Sequence, residues 1–445
     1  LKSFIIPNSI KSIGDFAFSG CNKLSSVEFP NKDFVVYRDA FLDTVFLNNY
    51  EGDFVIVGDG VLIEYKGEET VVKVPDDVKR VSASFYNCVD MTEIELPEKL
   101  RYISPYSFDG CKELKYLYIP DSVVEISQNA FYGMREALSL SVPFIGKNQD
   151  VESGTTEAKI MYWFNESGKN LASFTLRGGI AFEDCAKGMK ISTLNLEADV
   201  EKLMESCFKN AGLTKLNISQ NVKFTEIPYM SFSDNSISTL VIPGVIKVIS
   251  EAFTGNRIST LNLFEGVEEL DSSFSGAIFK SVVLPDSLVS IKGTAFKNSS
   301  NLKEIYIGEN VSFISDTAFV STGVETFVIS SENQYYFSEG PAIYDVRGEL
   351  YYYNNPKKTE VFCIGEKVTN ISDEQLKQLE FEVVEKRSIR SIKDAQKYIS
   401  SNFHINYSYK QAWEIMRVKL GFNYGKPFLK YKERPENYKE EFKKK

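Results

Sequence analysis

Aligned against itself, the chain repeats with a period of 21 to 24 residues. The stretches "LKSFIIPNSIKSIGDFAFSGC" from Leu1, "MTEIELPEKLRYISPYSFDGC" from Met91 and "LKYLYIPDSVVEISQNAFYGM" from Leu114 share one template. So do "ISTLVIPGVIKVISEAFTGN" from Ile237, "KSVVLPDSLVSIKGTAFKNSS" from Lys280 and "LKEIYIGENVSFISDTAFVST" from Leu302. The template is an apolar residue, a two-residue gap, alternating apolar residues, often Pro, then Val/Ile, Ile, and Ala-Phe or Ser-Phe. In "LKYLYIP" the alternation points Leu117 and Ile119 one way and Tyr116 and Tyr118 the other, as in a short strand. Pro120 ends that strand because it has no N–H to give a ladder. Val124, Ile126, Ala130 and Phe131 are expected to turn inward from the returning segment. The few apolar side chains of one such unit bury less than the ordering of its backbone costs, so a single unit cannot fold and its neighbours must stack on it.

The rest of the composition is that of an ordinary folded chain. Of the 445 residues, 43% are hydrophobic and 25% charged, enough apolar content for a sizeable core or two domains. No stretch approaches the roughly eighteen apolar residues of a membrane span. The first residue is Leu1 rather than Met, so the chain reads as a fragment. An upstream signal peptide would place it at the cell surface or outside the cell; without one it would be cytoplasmic. The formal charge of -10 hides an asymmetry: residues 381–445 carry net +8 and residues 1–380 net -18. An acidic body repels nucleic acid and anionic lipid, whereas a basic tail attracts them.

The "IPxxVxxIxxxAFxxC" pattern recurs about ten times and covers most of residues 1–330. It resembles the BspA-like class of leucine-rich repeats, found in bacterial and protozoan surface proteins. The resemblance implies an α+β repeat solenoid, a right-handed coil with short parallel strands. Gly52 to Val78 and Tyr335 to Ile371 resemble the hairpin insertions of such arrays, with Gly58-Asp59-Gly60 and Arg347-Gly348 as the turns. Residues 138–170 depart from the template, with a polar "KNQDVESGTTEAK" before "IMYWF". The expected organisation is a first array over 1–137, an irregular insertion or joint over 138–170, and a second array over 171–334. A hairpin insertion and terminal coil follow over 335–371, then a linker over 372–390 and a small all-α helix-turn-helix over 391–445.

Chemistry-bearing patterns are sparse. Cys21, Cys88 and Cys111 fall three residues after the template Phe, as buried small thiols would, although a Cys88–Cys111 disulfide between adjacent coils is the rival reading. Cys185, Cys207 and Cys363 lack metal-like spacing, and His404 is the only histidine. Neither "GDGVLIEYKG" nor "LRGGIAFEDCAKG" has phosphate-loop spacing. No catalytic residue, metal or cofactor is expected. A binding surface is expected on the concave strand face, for a protein or glycan partner. In the first array its outward positions are Thr92, Glu93, Glu95, Lys115, Tyr116 and Tyr118. In the second they are Thr193, Asn195, Lys215, Asn217, Thr239, Thr260, Asn262, Glu304 and Tyr306. The Tyr/Glu cluster is the stronger hot-spot candidate, because aromatic rings add contact area at low entropic cost.

After Ile371 the pattern turns helical. "SIKDAQKYISSNF" from Ser391 and "SYKQAWEIMRVKLGF" from Ser408 each begin with a capping signature, and Gly421 stands where a C-cap belongs. Tyr409, Ala412, Trp413, Met416 and Leu420 share a face expected to pack on Ile392, Ala395, Tyr398 and Ile399. Opposite lie Lys410, Gln411, Glu414 and Arg417, a polar stripe suited to base edges in a major groove. Lys393, Lys397, Lys426, Arg387, Arg390, Lys419, Lys430 and Lys432 are positioned in sequence to meet phosphates. With its "YSYKQAW", "GFNYGKP" and "RPEN" stretches, this segment is similar to the winged helix-turn-helix of mariner-like insertion-sequence transposases. That likeness would put Lys410, Gln411, Glu414 and Arg417 on the recognition helix and make duplex DNA a second partner. The carboxylate-rich nuclease core does not follow within these 445 residues, so no transposase activity is expected.

Overall fold

The computed structural model describes residues 1–134, 137–165, 169–354 and 392–403, with single positions at 377, 412, 415 and 416. Most coils of the repeat contribute two strands rather than one, which pair in parallel with counterparts in neighbouring coils to form several small sheets. The front strands include Tyr116–Tyr118, Leu138–Val142, Asn170–Ala181, Lys190–Leu203 and Lys215–Ile218, which hydrogen-bond in that order. The back strands include Glu226–Ile227, Val248–Ser250, Glu269–Asp271, Ser290–Lys292 and Phe313–Ile314. The result is a β-solenoid of about 15 turns.

The alternation expected in "LKYLYIP" is present: Leu117 and Ile119 are fully buried and Tyr116 is exposed. One inward position is corrected. After Pro120 the chain makes a tight turn in which the Val123 N–H donates to the Pro120 carbonyl at 3.1 Å. That turn rotates Val123 into the core and leaves Val124 half-buried. Ile126, Ala130 and Phe131 are buried as expected.

The template Phe residues form a continuous column. Phe208, Phe232, Phe253, Phe274, Phe296 and Phe319 stack with ring centroids 5.5 to 6.0 Å apart. Parallel pairing sets this distance, because strands in a sheet repeat every 4.7–4.9 Å or so and carry equivalent side chains with them. Two further positions recur. The residue two before the Phe adopts positive φ in many coils, including Phe16, Asp39, Ala83, Tyr106, Asn129, Met230 and Glu251. The residue three after it often donates to the Phe carbonyl of the preceding coil: Cys111 to Phe85 at 3.2 Å, Asn235 to Phe208 at 2.9 Å, Asn256 to Phe232 at 2.8 Å and Ser299 to Phe274 at 3.3 Å. This is the role of the recurring Cys position. Cys111 is buried, Cys21 and Cys88 are half-buried, and all three thiols are free, so no Cys88–Cys111 disulfide is present. Cys363 and His404 lie outside the described residues.

The polar departure after residue 138 does not interrupt the front sheet, which runs through Leu138–Val142 into Asn170–Ala181. The long loop between them sends Trp163 and Phe164 inward, both fully buried, to stand 5.9 and 5.7 Å from Phe131. The Trp163 indole N–H donates to the Gly146 carbonyl at 3.0 Å. The loop thus supplies the ring that the missing template Phe would have provided.

Both hairpin regions contain antiparallel strands. Phe54–Val57 pairs with Val61–Tyr65 across the Gly58-Asp59-Gly60 turn, and the second of these continues in parallel with Arg80–Val81. Gly60 has φ +74°, and a Cβ there would meet the Asp77 carbonyl, so a side chain is excluded on two counts. The strand Val61–Tyr65 separates two apolar cores. Val61 and Ile63 join the core of the first coils, with Phe34 and Phe41, whereas Leu62 and Tyr65 join the main core. Arg80 clasps the two sides together. It is 7% exposed, bonds Asp33 through Nε at 2.5 Å and Nη2 at 2.6 Å, donates to Ser104 Oγ at 3.1 Å, and lies 4.1 Å above the Tyr102 ring. The second region is a three-stranded meander of Tyr336–Glu339, Ala342–Asp345 and Leu350–Tyr353, with Arg347-Gly348 in its last turn. Tyr352 meets Phe319 and Phe327 edge-on and closes the Phe column at that end.

Of the expected helix-turn-helix, the structure describes one helix, Ile392–Phe403, with Ala395 and Ile399 buried and Lys393 exposed. Lys410, Gln411, Glu414, Arg417 and Lys426 lie outside the described residues. No helix among the described residues is long and apolar enough to cross a membrane.

Candidate functional site: the front strand face

Parallel register converts the outward position of each front strand into a row. Tyr116 stands beside Ser139, Ser173, Thr193 and Lys215, and Tyr118 beside Ser141, Thr175, Asn195 and Asn217. The same two rows continue as Thr239 and Thr260, then Val241 and Asn262, in the next pair of strands. Further along, Ser281, Glu304 and Thr326 share one row and Val283, Tyr306 and Val328 the other.

The residues expected to bind are all on this face, but not all together. Glu95 and Tyr118 line one shallow cavity of about 480 Å³ with Asp76, Glu98 and Lys99. Asn262 and Tyr306 line a second, of about 390 Å³, with Val283, Glu265 and Asp286. Asn195 and Asn217 lie between them and are joined by a 2.7 Å hydrogen bond, Nδ2 of Asn217 donating, while Asn195 Nδ2 donates to Thr175 Oγ1 at 2.9 Å. Glu93 and Tyr116 are exposed outside either cavity, in register with Val71 and Ser139.

Charge partners at the first cavity come from other coils. Lys73 donates to Glu95 at 2.7 Å, an exposed pair that orients the carboxylate more than it stabilises the fold. Arg177 lies 4.0 Å above the Tyr118 ring, donates to Asp121 at 2.7 and 3.0 Å, to Ser141 Oγ at 2.6 Å, and to the Ile119 carbonyl. Burial raises the pKa of the Tyr118 hydroxyl, with Arg177 opposing. Tyr118 is therefore a neutral, held ring, whereas Tyr116 is exposed. Arg177 escaped the sequence reading because nothing in "LASFTLRGG" shows that a residue 59 positions beyond Tyr118 crosses the Ser141 strand to reach it.

Four of the described thiols, Cys88, Cys111, Cys185 and Cys207, lie in environments that disfavour the thiolate. Burial pushes Cys88 up to about 11, with Glu64 adding to it, and Cys207 up to about 12; Cys111 and Cys185 are raised as well. Thiols held protonated are poor nucleophiles and poor ligands. Among the described residues, no group of three His, Cys, Asp or Glu side chains is arranged to hold a metal ion.

These features define a leucine-rich-repeat solenoid with an ordered strand face made of successive short parallel sheets. The chain belongs to the family of BspA type leucine rich repeat regions, which matches residues 1–52, 71–150, 167–274 and 225–340. It is similar to a leucine-rich repeat protein from Eubacterium ventriosum, at 22% identity over 41% of this chain and 43% of that one, with a TM-score of 0.28. The chain thus spans less than half the length of that relative. A leucine-rich repeat protein from Bacteroides ovatus matches at 16% identity over 72% of this chain and 76% of that one, with a TM-score of 0.27. A leucine rich cell surface protein from Faecalibacterium prausnitzii matches at 18% identity over 74% and 73%, with a TM-score of 0.20. Likenesses at these scores carry no argument about the site. No curated protein matches the chain.

Proposed function

We propose that the repeat body is a non-enzymatic recognition scaffold, of the cell-surface kind, that binds a protein or glycan partner on the concave side of its front sheet. The residues assigned to contact it are Glu93, Glu95, Tyr116, Tyr118, Asn195, Asn217, Asn262 and Tyr306. The observation that carries this reading is the register: polar and aromatic side chains repeat in two straight rows, one coil apart, on strands whose own hydrogen bonds are already made. Such a face offers side chains rather than backbone, and aromatic residues among fixed polar neighbours are what interfaces use as anchors. The test is a binding screen of the full chain against displayed peptides and a glycan array, repeated with a Tyr116→Ala/Tyr118→Ala variant, with Asn217→Ala and with Tyr306→Ala. Loss of a selected ligand in any of the three supports the reading, and a set of ligands indifferent to all three refutes it.

A second reading rests on the C-terminal module. The helix Ile392–Phe403 forms where its capping signature lies, buries Ala395 and Ile399, and leaves Lys393 and Lys397 exposed. A helix-turn-helix would need an amphipathic helix of this kind as its first helix, and the segment carries net charge +8. It would make the chain an intracellular DNA-associated protein without transposase activity. Mobility shifts of duplex DNA by the full chain should weaken as salt rises and weaken further in Lys410→Ala/Arg417→Ala; absence of any shift at low salt removes this reading.

A further inference from the structure

The second half of the front face differs in chemistry from the first. Val241, Val283 and Val328 are 42%, 67% and 39% exposed, and Phe264, at the end of its strand, is 49% exposed. They alternate along the sheet with Asn262 and Tyr306, because Val241 is in register with Asn262, and Val283 with Tyr306 and Val328. An aliphatic side chain on a solvated strand loses its hydration cost only when something covers it. The strands beneath pair in two parallel groups, Thr239–Ile242 with Thr260–Leu263, and Ser281–Val283 with Glu304–Ile307 and Thr326–Ile329; their hydrogen bonds lie in the plane of the sheet, so a partner resting on this face meets outward side chains.

The rim names the partner's charge. Glu265 and Asp286 follow their strands at equivalent places in consecutive coils, and both line the cavity that holds Val283 and Tyr306. Glu265 is held in place, its carboxylate accepting the backbone N–H groups of Asp286 and Ser287 at 3.1 and 3.0 Å. Glu309 stands exposed one coil further on. Lys303, at the opposite strand end, is already paired with Glu325 at 3.3 Å. An apolar stripe beside an acidic rail is complementary to an apolar side chain flanked by cations.

We propose that the segment of the face from Val241 to Val328 docks a protein partner that presents an aliphatic or aromatic side chain flanked by Lys or Arg, the apolar group covering Val283 and Tyr306 and the cation meeting Asp286 or Glu265. This rests on the recognition reading above and assigns its partner class and place. The test pans a displayed random dodecapeptide library on the full chain and measures a synthesised consensus peptide against variants. The expected consensus carries an apolar residue next to Lys or Arg. Val283→Thr, which keeps the β-branched shape, should weaken it about tenfold, and Asp286→Asn should weaken it severalfold while reducing its salt dependence. Peptides without basic residues, or binding indifferent to both substitutions, overturn the proposal. Binding lost in Tyr118→Ala but kept in Val283→Thr overturns it while leaving the broader recognition reading intact. Indifference to all three substitutions removes both. Sedimentation showing a dimer of the full chain that Val283→Thr dissociates would overturn it in favour of a second copy as the occupant.

Discussion

Phe253 provides the most direct check on how the coils hold one another. Its ring is 1% exposed and stacks between Phe232, at 5.5 Å and 14°, and Phe274, at 5.9 Å and 10°. Replacing it by Ala removes a fully buried ring and leaves a cavity that two neighbouring coils, each pinned by parallel pairing, cannot close. Core Phe→Ala changes cost about 3–5 kcal/mol. Two lost ring contacts of about 0.5–1.5 kcal/mol each push this site toward the upper end of that range. The assay is urea unfolding of the full chain followed by circular dichroism. Because each coil touches only its neighbours, the variant should also broaden the transition or split it, as the two sides of the defect uncouple. Phe264→Ala is the control: that ring is 49% exposed, so its loss should cost less than about 1 kcal/mol. A Phe253→Ala cost below about 1 kcal/mol would refute the column as the element that joins the coils.

Glu64 sits half-buried on the strand between the two cores, where burial first and Asp39 second raise its pKa from 4.5 to about 7, with Lys66 opposing. Its contribution to stability is therefore whole below 4.5 and is lost as pH rises through about 7, so thermal midpoints should fall over that window in the native chain and much less in Glu64→Gln. Arg80→Met should cost about 2–3 kcal/mol, less than a fully buried pair because the Asp33 side chain is 38% exposed; hydrogen exchange should show the loss first in the core of Ile6, Phe34 and Phe41. Glu251, at φ +43°, should gain about 0.5–1 kcal/mol on replacement by Gly, since relief of the left-handed strain outweighs the added freedom of the unfolded chain; a loss of stability in chemical unfolding would contradict that account.

Much of this was readable from residue types alone. Period, alternation and the place of each template Phe are local patterns, and a solenoid repeats local patterns without rearranging them, so Leu117, Ile119 and Phe131 could be assigned to the core from their spacing. The outward rows followed from the same alternation, which is why Tyr116, Asn195 and Tyr306 were found on the face where they were expected. The Val stripe is written in "LVIP" and "SVVLP", where alternation turns Val241 and Val283 outward, against the usual preference of valine for the interior.

What the pattern could not specify were the contacts that depend on folding over distance. That Trp163 fills the column beside Phe131, that Leu62 and Val61 serve different cores, and that Arg177 covers Tyr118 all arise between segments with no shared period. Each depends on where a loop or hairpin re-enters the stack, and that is decided by packing volume and by the few hydrogen bonds available at the point of entry. Local sequence carries the repeat, because identical coils solve identical problems; the exceptions to the repeat are solved only once, in three dimensions.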